Sequence, residues 1–333
     1  MKNNSITASI TAVGKFLPSK KLTNFDLEKM VDTNDEWIRS RTGIEERRIV
    51  EKGQASSYMS VNAFKNLQKN YNINSDEIDV IIVATVTPDM LFPSTACIIQ
   101  DQISAKNAFA FDLSGACSGF LFALDTATRF IESGKYKKVL VFGVDTMSSV
   151  VDYTDRNTCI LFGDGAGVVL VEPSKDENGI IDSELKTDGS GAKYLMMKAG
   201  GSLHPATHET VENKEHFGYQ DGATVYKYAV KGMADISKEV SDRNNLTSQT
   251  IDLFIPHQAN KRIIDSAAKR LGIPKEKVLI NINKYANTTA GTIPIALTEA
   301  VEQKMLKKGD NVILSSFGAG FTWGAIYLKW GIS

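Results

Sequence analysis

The chain has 333 residues, 42% of them apolar and 23% charged, and 38 Lys and Arg against 39 Asp and Glu leave a formal net charge of -1. This balance is that of a globular protein, and it excludes a disordered or fibrous chain, a disulfide scaffold, and a nucleic-acid backbone as the main partner, which would need a basic face. The longest apolar run, Val80 to Val86, falls far short of the ~18 residues a membrane-spanning helix needs, so no membrane is expected.

Taken in chain order, the start Met1-Lys2-Asn3-Asn4-Ser5 lacks the basic and apolar regions of a secretory leader, which points to the cytoplasm. Thr23 with Asp26 suits a helix start, and Thr33 with Glu36 makes a capping box for a short helix ending before Gly43. Strands are predicted at Val80–Val86, Ala108–Leu113, Val139–Phe142, Gly167–Val171, Leu253–Ile255, Val278–Ile282, Val312–Leu314 and Gly324–Trp330, alternating with helical patterns. This alternation predicts an α/β fold of mixed, mostly buried sheets covered by helices. The polar stretch Asp188 to Gly222 holds His204, His208 and His216 and reads as a long surface excursion. Cys97, Cys117 and Cys159 show no CxxC spacing, so they read as reduced thiols and no zinc cluster is expected.

The chain also repeats itself. A shift of 173 residues lays Asn72–Asp79 on Asn245–Asp252, each running into an apolar strand, and without a gap lays Ala123, Leu124 and Ala127 on Ala296, Leu297 and Ala300. The period is too long for a solenoid. It predicts two similar α/β halves, residues 1–175 and 176–333, packed about a pseudo-twofold axis.

Candidate chemistry sits on the turns of this repeat. Ala108–Leu113 is predicted to be a buried strand that leads through Ser114-Gly115-Ala116-Cys117 into an apolar helix, so Cys117 stands at a helix N-terminus, where free N–H groups and the dipole favour a thiolate. A buried core thiol is the alternative, and Cys97 and Cys159 fit it better. His257 follows the strand Leu253–Pro256, at a strand C-terminus where α/β proteins place ligands; a satisfied core histidine is the alternative. His204-Pro205-Ala-Thr-His208 is a poor metal site because Pro205 opposes a regular helix. Asn287 precedes a helix, which makes an N-cap the simplest reading, but the shift of 173 lays it on Ser114 and lays Ala290 on Cys117. Gly163-Asp164-Gly165-Ala166-Gly167 lacks the Lys-Ser/Thr of a phosphate loop and reads as a tight turn, whereas Phe317-Gly318-Ala319-Gly320-Phe321 can present bare backbone N–H groups as an oxyanion hole.

Seven ordered motifs resemble the thiolase-like condensing enzymes, and within them the β-ketoacyl-[acyl-carrier-protein] synthase III family. They are Asp32–Ile38 with Arg41-Thr-Gly-Ile, Leu113-Ser-Gly-Ala-Cys117-Ser-Gly-Phe, Thr154-Asp-Arg-Asn-Thr, Phe162-Gly-Asp-Gly-Ala-Gly, Pro256-His-Gln-Ala-Asn260, Tyr285-Ala-Asn-Thr-Thr and Phe317-Gly-Ala-Gly-Phe-Thr-Trp323-Gly. The resemblance implies a five-layer αβαβα fold, a cytoplasmic homodimer, and a decarboxylative Claisen condensation of a short acyl-CoA with malonyl-acyl-carrier protein that initiates fatty-acid synthesis. It implies a triad of Cys117, His257 and Asn287, an oxyanion hole from the backbone of Cys117 and Ala319, and no metal or redox cofactor, acyl-CoA and malonyl-acyl-carrier protein being substrates. CoA would meet Trp37, Arg41, Arg156 and Asn260. Phe317, and Phe92 reaching over from a partner, would bound the acyl pocket. The acidic carrier protein would meet Lys227, Gln258, Ala259, Asn260, Lys261, Arg262, Lys269 and Arg270. Ala286 stands where many relatives have Gly, and the excursion is longer than in the shortest relatives, which leaves starter preference open between acetyl, propionyl and branched acyl groups. A related acyl-Cys transferase or a condensing enzyme of a secondary pathway would share the triad.

Overall fold

A computed structural model describes residues 6–333; Met1 to Ser5, read above for a leader, lie outside the described residues. The first main sheet holds β1 (Ala8–Phe16), β2 (Val80–Ala84), β3 (Phe109–Leu113), β4 (Val139–Asp145) and β5 (Gly165–Pro173) in the order β1-β5-β4-β2-β3. The second holds β6 (Gly179–Thr187), β7 (Leu253–Pro256), β8 (Asn311–Gly318) and β9 (Thr322–Lys329) in the order β7-β8-β9-β6. The principal helices are α1 (Asp35–Thr42), α2 (Ser56–Asn70), α3 (Thr95–Gln102), α4 (Gly119–Glu132), α5 (Gly222–Arg243), α6 (Lys261–Leu271) and α7 (Thr292–Glu302).

The layering follows from the two-residue period of a strand. Val80, Ile82, Val139 and Val141 face a core shared with Phe120 and Leu124 of α4, Ile293 and Leu297 of α7, and Leu253, Ile255, Val312 and Leu314 of the second sheet. Their neighbours Ile81, Val83, Leu140 and Phe142 face Met59, Phe64 and Ile99 of α2 and α3. On the far side, Phe254, Ile313 and Tyr327 face Met233, Ile236 and Ile264 of α5 and α6. Both faces of each sheet are therefore covered, which is why β2 reads as the unbroken run Val-Ile-Ile-Val-Ala. The result is five layers, with α4 and α7 in the middle. α7 can lie this close because Gly167 carries no Cβ: one placed there would meet Ile295 N at 2.6 Å.

The shift of 173 is visible in the pairing itself: Val80 pairs in parallel with Val139, and Leu253 in parallel with Val312. The turns before α4 and α7 match too, with Ala116 at φ 47° and Thr289 at φ 49°.

Four expectations need correction. Val278–Ile282 forms no strand beyond one bridge to Phe254, because the N–H groups of Asn281 and Ile282 turn instead to Gln258 Oε1, and a short helix Ile282–Tyr285 follows. The cap of α1 is Asn34, whose side chain accepts from Trp37 N, and not Thr33. Cys97 is exposed, one turn into α3, while Cys159 is buried. β3 is the half-exposed edge of its sheet, not an interior strand. The Thr23–Asp26 capping box is present.

Candidate active site

Cys117 lies in a short 3-10 turn, Ala116–Ser118, between β3 and α4. Three bonds fasten this turn to the β8–β9 hairpin of the other half: Ser118 Oγ donates to Thr322 O at 3.0 Å, Thr322 Oγ1 to Gly115 O at 3.0 Å, and Ser316 Oγ to Cys117 O at 2.8 Å. Gly318 passes so close that a Cβ there would meet Cys117 N at 2.8 Å, so only glycine lets the Phe317–Ala319 strip lie against the thiol. The helix end alone would lower the Cys117 pKa. Burial, with the Asp145 carboxylate adding to it, instead pushes the thiol up to about 12, because removing a thiolate from water outweighs what local N–H groups return.

His257 follows β7, its N–H donating to Ser315 O at 2.7 Å. It is 1% exposed, and burial pushes it down to about 3, so the imidazole is neutral. Its Nδ1 lies 2.6 Å from Thr292 Oγ1, while Nε2 is buried without a hydrogen-bond partner. Asn287 is not a helix cap. Its backbone bridges to the 161–163 segment, accepting from Gly163 N at 3.1 Å and donating to Leu161 O at 3.0 Å. Its Oδ1 accepts from Thr289 N at 2.8 Å, which leaves the Nδ2 amide as the end free to donate to a ligand.

Asp145, at the end of β4 and fully buried, ties these turns together. Its Oδ1 accepts from Thr85 Oγ1, Val86 N, Thr87 N and Thr87 Oγ1 at 2.8–3.1 Å, and its Oδ2 from Thr289 Oγ1 and Ala290 N. One carboxylate thus joins the strand ends of the first half to the turn after Asn287. Nothing in the local sequence marks it, since its donors come from separate segments of the chain.

Cys117, His257, Asn287, Phe317 and Ala319 line one cavity of about 730 Å³, as do Trp37, Arg41, Ala259, Asn260 and Arg262 toward its other end. The guanidinium groups of Arg41 and Arg156 lie 5.5 and 5.1 Å from the Trp37 ring centre. Asn260 caps α6 through Arg262 N at 2.9 Å and donates to Arg41 O at 3.1 Å, so its side chain joins α6 to α1 at the cavity wall. Of the surface assigned to the carrier protein, Lys227, Arg262, Lys269 and Arg270 are exposed, and Lys261 pairs with Asp265 at 2.7 Å. Gln258 does not belong there: it is 0% exposed, and its amide is spent on Pro256 O, Leu279 O, Asn281 N and Ile282 N. Phe92 is 85% exposed and lies outside this chain's own cavity.

The length of the 188–222 excursion marks it in the sequence as able to reshape the pocket mouth, but its cavity-lining residues are not singled out there. The excursion folds into a ribbon of Leu195–Met197 with Gly218–Gln220, whose Leu195, Met196 and Tyr219 line the cavity beside Tyr226 of α5. It is fastened to the segment carrying Arg156 by Gly218 N to Val150 O at 2.8 Å and by Lys214 Nζ to Asp152 and Thr154 at 2.8 and 2.7 Å. His204 and His208 are exposed, and the His216 ring lies tilted against Phe217 with ring centres 4.1 Å apart.

Two strand-helix halves stacked in five layers define a thiolase-like enzyme. The family model described as 3-oxoacyl-[acyl-carrier-protein (ACP)] synthase III matches residues 111–189, and the one described as its C-terminal part matches residues 241–330. The β-ketoacyl-[acyl-carrier-protein] synthase III of Chlorobium phaeobacteroides is 58% identical over 97% of this chain and 99% of its own. Among solved structures, the 3-oxoacyl-[acyl-carrier-protein] synthase III of Aquifex aeolicus is 45% identical, with a TM-score of 0.89 over 97% of this chain and 100% of its own. The synthase III of Thermus thermophilus is 40% identical, with a TM-score of 0.91 over 97% and 99%. The chain belongs to the β-ketoacyl-[acyl-carrier-protein] synthase III family.

Proposed function

We propose that this enzyme condenses a short acyl-CoA starter with malonyl-acyl-carrier protein, with loss of carbon dioxide, and so initiates fatty-acid biosynthesis. The observation that carries this reading is that Cys117, His257, Asn287 and Ala319, drawn from both halves, meet in one cavity in a chain of this family.

In the first half-reaction the Cys117 proton passes to His257 Nε2 as Sγ attacks the acyl-CoA thioester. The backbone N–H groups of Cys117 and Ala319 hold the tetrahedral oxyanion, which collapses to acyl-Cys117 as the CoA thiolate leaves with the proton. In the second, His257 and Asn287 donate to the thioester carbonyl of malonyl-acyl-carrier protein. The C–C bond to the carboxylate breaks, carbon dioxide leaves, and the enolate carbon attacks acyl-Cys117, releasing the thiolate for reprotonation. Decarboxylation supplies the driving force, so the steps call on no metal or redox group. Trp37, Arg41 and Arg156 offer an aromatic plane and guanidinium groups to the adenine and phosphates of CoA, and Asn260 stands beside the pantetheine arm. Lys227, Lys261, Arg262, Lys269 and Arg270 give the acidic carrier protein a basic landing, with Ala259 and Asn260 at its edge.

A homodimer belongs to the same proposal. β3 is an open sheet edge with Phe109 43% exposed, and Leu91 and Phe92 stand out at 79% and 85%, an apolar surface that a second copy would cover. Phe92 would then close the partner's acyl pocket.

Intact-mass spectrometry after incubation with acetyl-, propionyl- and branched acyl-CoA tests the proposal. One acyl adduct on the wild type, none on Cys117→Ala, and discharge by malonyl-acyl-carrier protein with one carbon dioxide per acyl group are the expected results. No adduct from any acyl-CoA would end the CoA-dependent reading.

A further inference from the structure

The condensation proposed above needs Asn287 to present Nδ2, and not Oδ1, to the thioester carbonyl, because a second oxygen would repel the charge of the forming enolate. A primary amide has two ends of nearly equal shape, so packing alone does not choose between them. One group makes the choice: Thr289 N–H, which can only donate, lies 2.8 Å from Asn287 Oδ1. Turning the amide over would set its NH2 against that N–H and leave the N–H without an acceptor. Thr289 is 3% exposed, lines the cavity and holds φ 49°, a left-handed conformation that a β-branched residue rarely adopts. Its hydroxyl donates to Asp145 Oδ2, which also accepts from Ala290 N at 3.2 Å, while Asp145 Oδ1 accepts from Val86 N and Thr87 N at 2.8 and 3.1 Å. Backbone N–H groups thus aim at both oxygens, and a carboxylate accepts at both ends, whereas an asparagine there would turn its NH2 on one set.

We propose that Asp145 and Thr289 are positioning residues that fix which end of the Asn287 amide faces the substrate. Asp145 holds the Thr289 hydroxyl, the hydroxyl keeps the left-handed turn, and the turn aims Thr289 N–H at Asn287 Oδ1. The pair acts on condensation and not on acylation, because Asn287 has no part in the first half-reaction. A general loosening of the site would look different: Thr289 O accepts from Thr292 Oγ1, which lies 2.6 Å from His257 Nδ1, so it would reach His257 and slow acylation as well. This inference rests on the proposed function and names further residues of its machinery.

The test times the two half-reactions separately in full-length protein, with acyl-CoA and then with malonyl-acyl-carrier protein. Thr289→Val should slow condensation about 10- to 100-fold, a share of what loss of one oxyanion donor costs, and leave acylation within about threefold of wild type. Thr289→Ser, which keeps the hydroxyl, should restore condensation, and Asp145→Asn should show the same selective loss as Thr289→Val. In an Asn287→Ala background, Thr289→Val should add less than about threefold, since no amide remains to be oriented. Wild-type condensation in Thr289→Val, equal slowing of both half-reactions, no recovery in Thr289→Ser, or a full further loss on top of Asn287→Ala would overturn the inference. A wild type that takes no acyl group, or whose acyl group malonyl-acyl-carrier protein does not discharge, would instead overturn the proposed function. Should Thr289→Val fail to fold, Thr289→Ala, smaller and also without the hydroxyl, takes its place with the same expected results.

Discussion

Ala286 holds φ 58° and ψ -155°, a backbone region that costs a side-chain-bearing residue about 1–3 kcal/mol and that glycine enters freely. The strain sits one residue before Asn287, whose backbone must reach Leu161 and Gly163 while its Oδ1 holds Thr289 N. Ala286→Gly relieves the strain and loses part of the gain to a freer unfolded chain, about 0.4–1 kcal/mol. A net stabilisation of about 1 kcal/mol is expected in denaturant unfolding; an unchanged or lower midpoint would mean that the turn holds no such strain. The departure at residue 286 is legible in the sequence, but its cost is not, because the dihedral angle is set by the partners of Asn287. Cys117 carries the same lesson with a sign. Its place beside a helix start is readable and suggests a lowered pKa, yet tertiary burial and Asp145 push the thiol up to about 12. With burial pushing His257 down to about 3 as well, both side chains are neutral in the resting cavity.

Among the elements, α6 shows how one helix serves both the core and a surface. Ile263, Ile264, Ala267 and Ala268 pack inward, while Arg262, Lys269 and Arg270 point out. Arg262 also donates to Ser40 O at 3.1 Å, so its replacement would disturb α1 and the cavity as well as the surface charge. Lys269 is the cleaner probe. Lys269→Glu is expected to raise KM for malonyl-acyl-carrier protein about 5- to 10-fold with kcat unchanged, and the difference should shrink as salt is added. An unchanged KM at low salt would remove α6 from the docking surface. The excursion at 188–222 is legible only as an insertion. Its cavity-facing residues lie on a ribbon of three-residue strands, too short for alternation to register, so a segment that looks polar and external supplies one wall of the site. Gln258 misleads in the opposite way, since the resemblance puts it on the carrier-protein surface with the rest of the Pro256–Asn260 motif, whereas its amide is spent on four backbone partners.

Over the whole molecule, the repeat is the most informative feature of the sequence. A single shift of 173 places Val80 on Leu253, Val139 on Val312 and Ala116 on Thr289, which are equivalent positions in strand register and in the two left-handed turns. This is why the central strands and the pairing of the Cys117 and Asn287 turns are readable from the residues alone. The outer strands β1 and β6 are not readable. Each is an edge, and β6 carries Asp182, Glu184 and Lys186 among its apolar residues, as edge strands tend to. Asp145 is equally hidden, although it locks the two halves together. This architecture divides the cavity lining: the first half contributes Cys117, the proposed nucleophile, and the second contributes His257, Asn287 and Ala319.

The central claim is therefore that acyl transfer and decarboxylative condensation rest on separable groups within one cavity. Asn287→Ala tests it most directly when the two half-reactions are timed separately in single turnovers, first acyl-CoA alone by intact mass, then malonyl-acyl-carrier protein added to the preformed acyl-enzyme. The account predicts acylation of Cys117 within about threefold of wild type and a loss of about 100- to 1,000-fold in carbon dioxide release and β-ketoacyl product, the cost of removing one donor from a developing oxyanion. Equal loss in both half-reactions, or condensation at the wild-type rate, would contradict it.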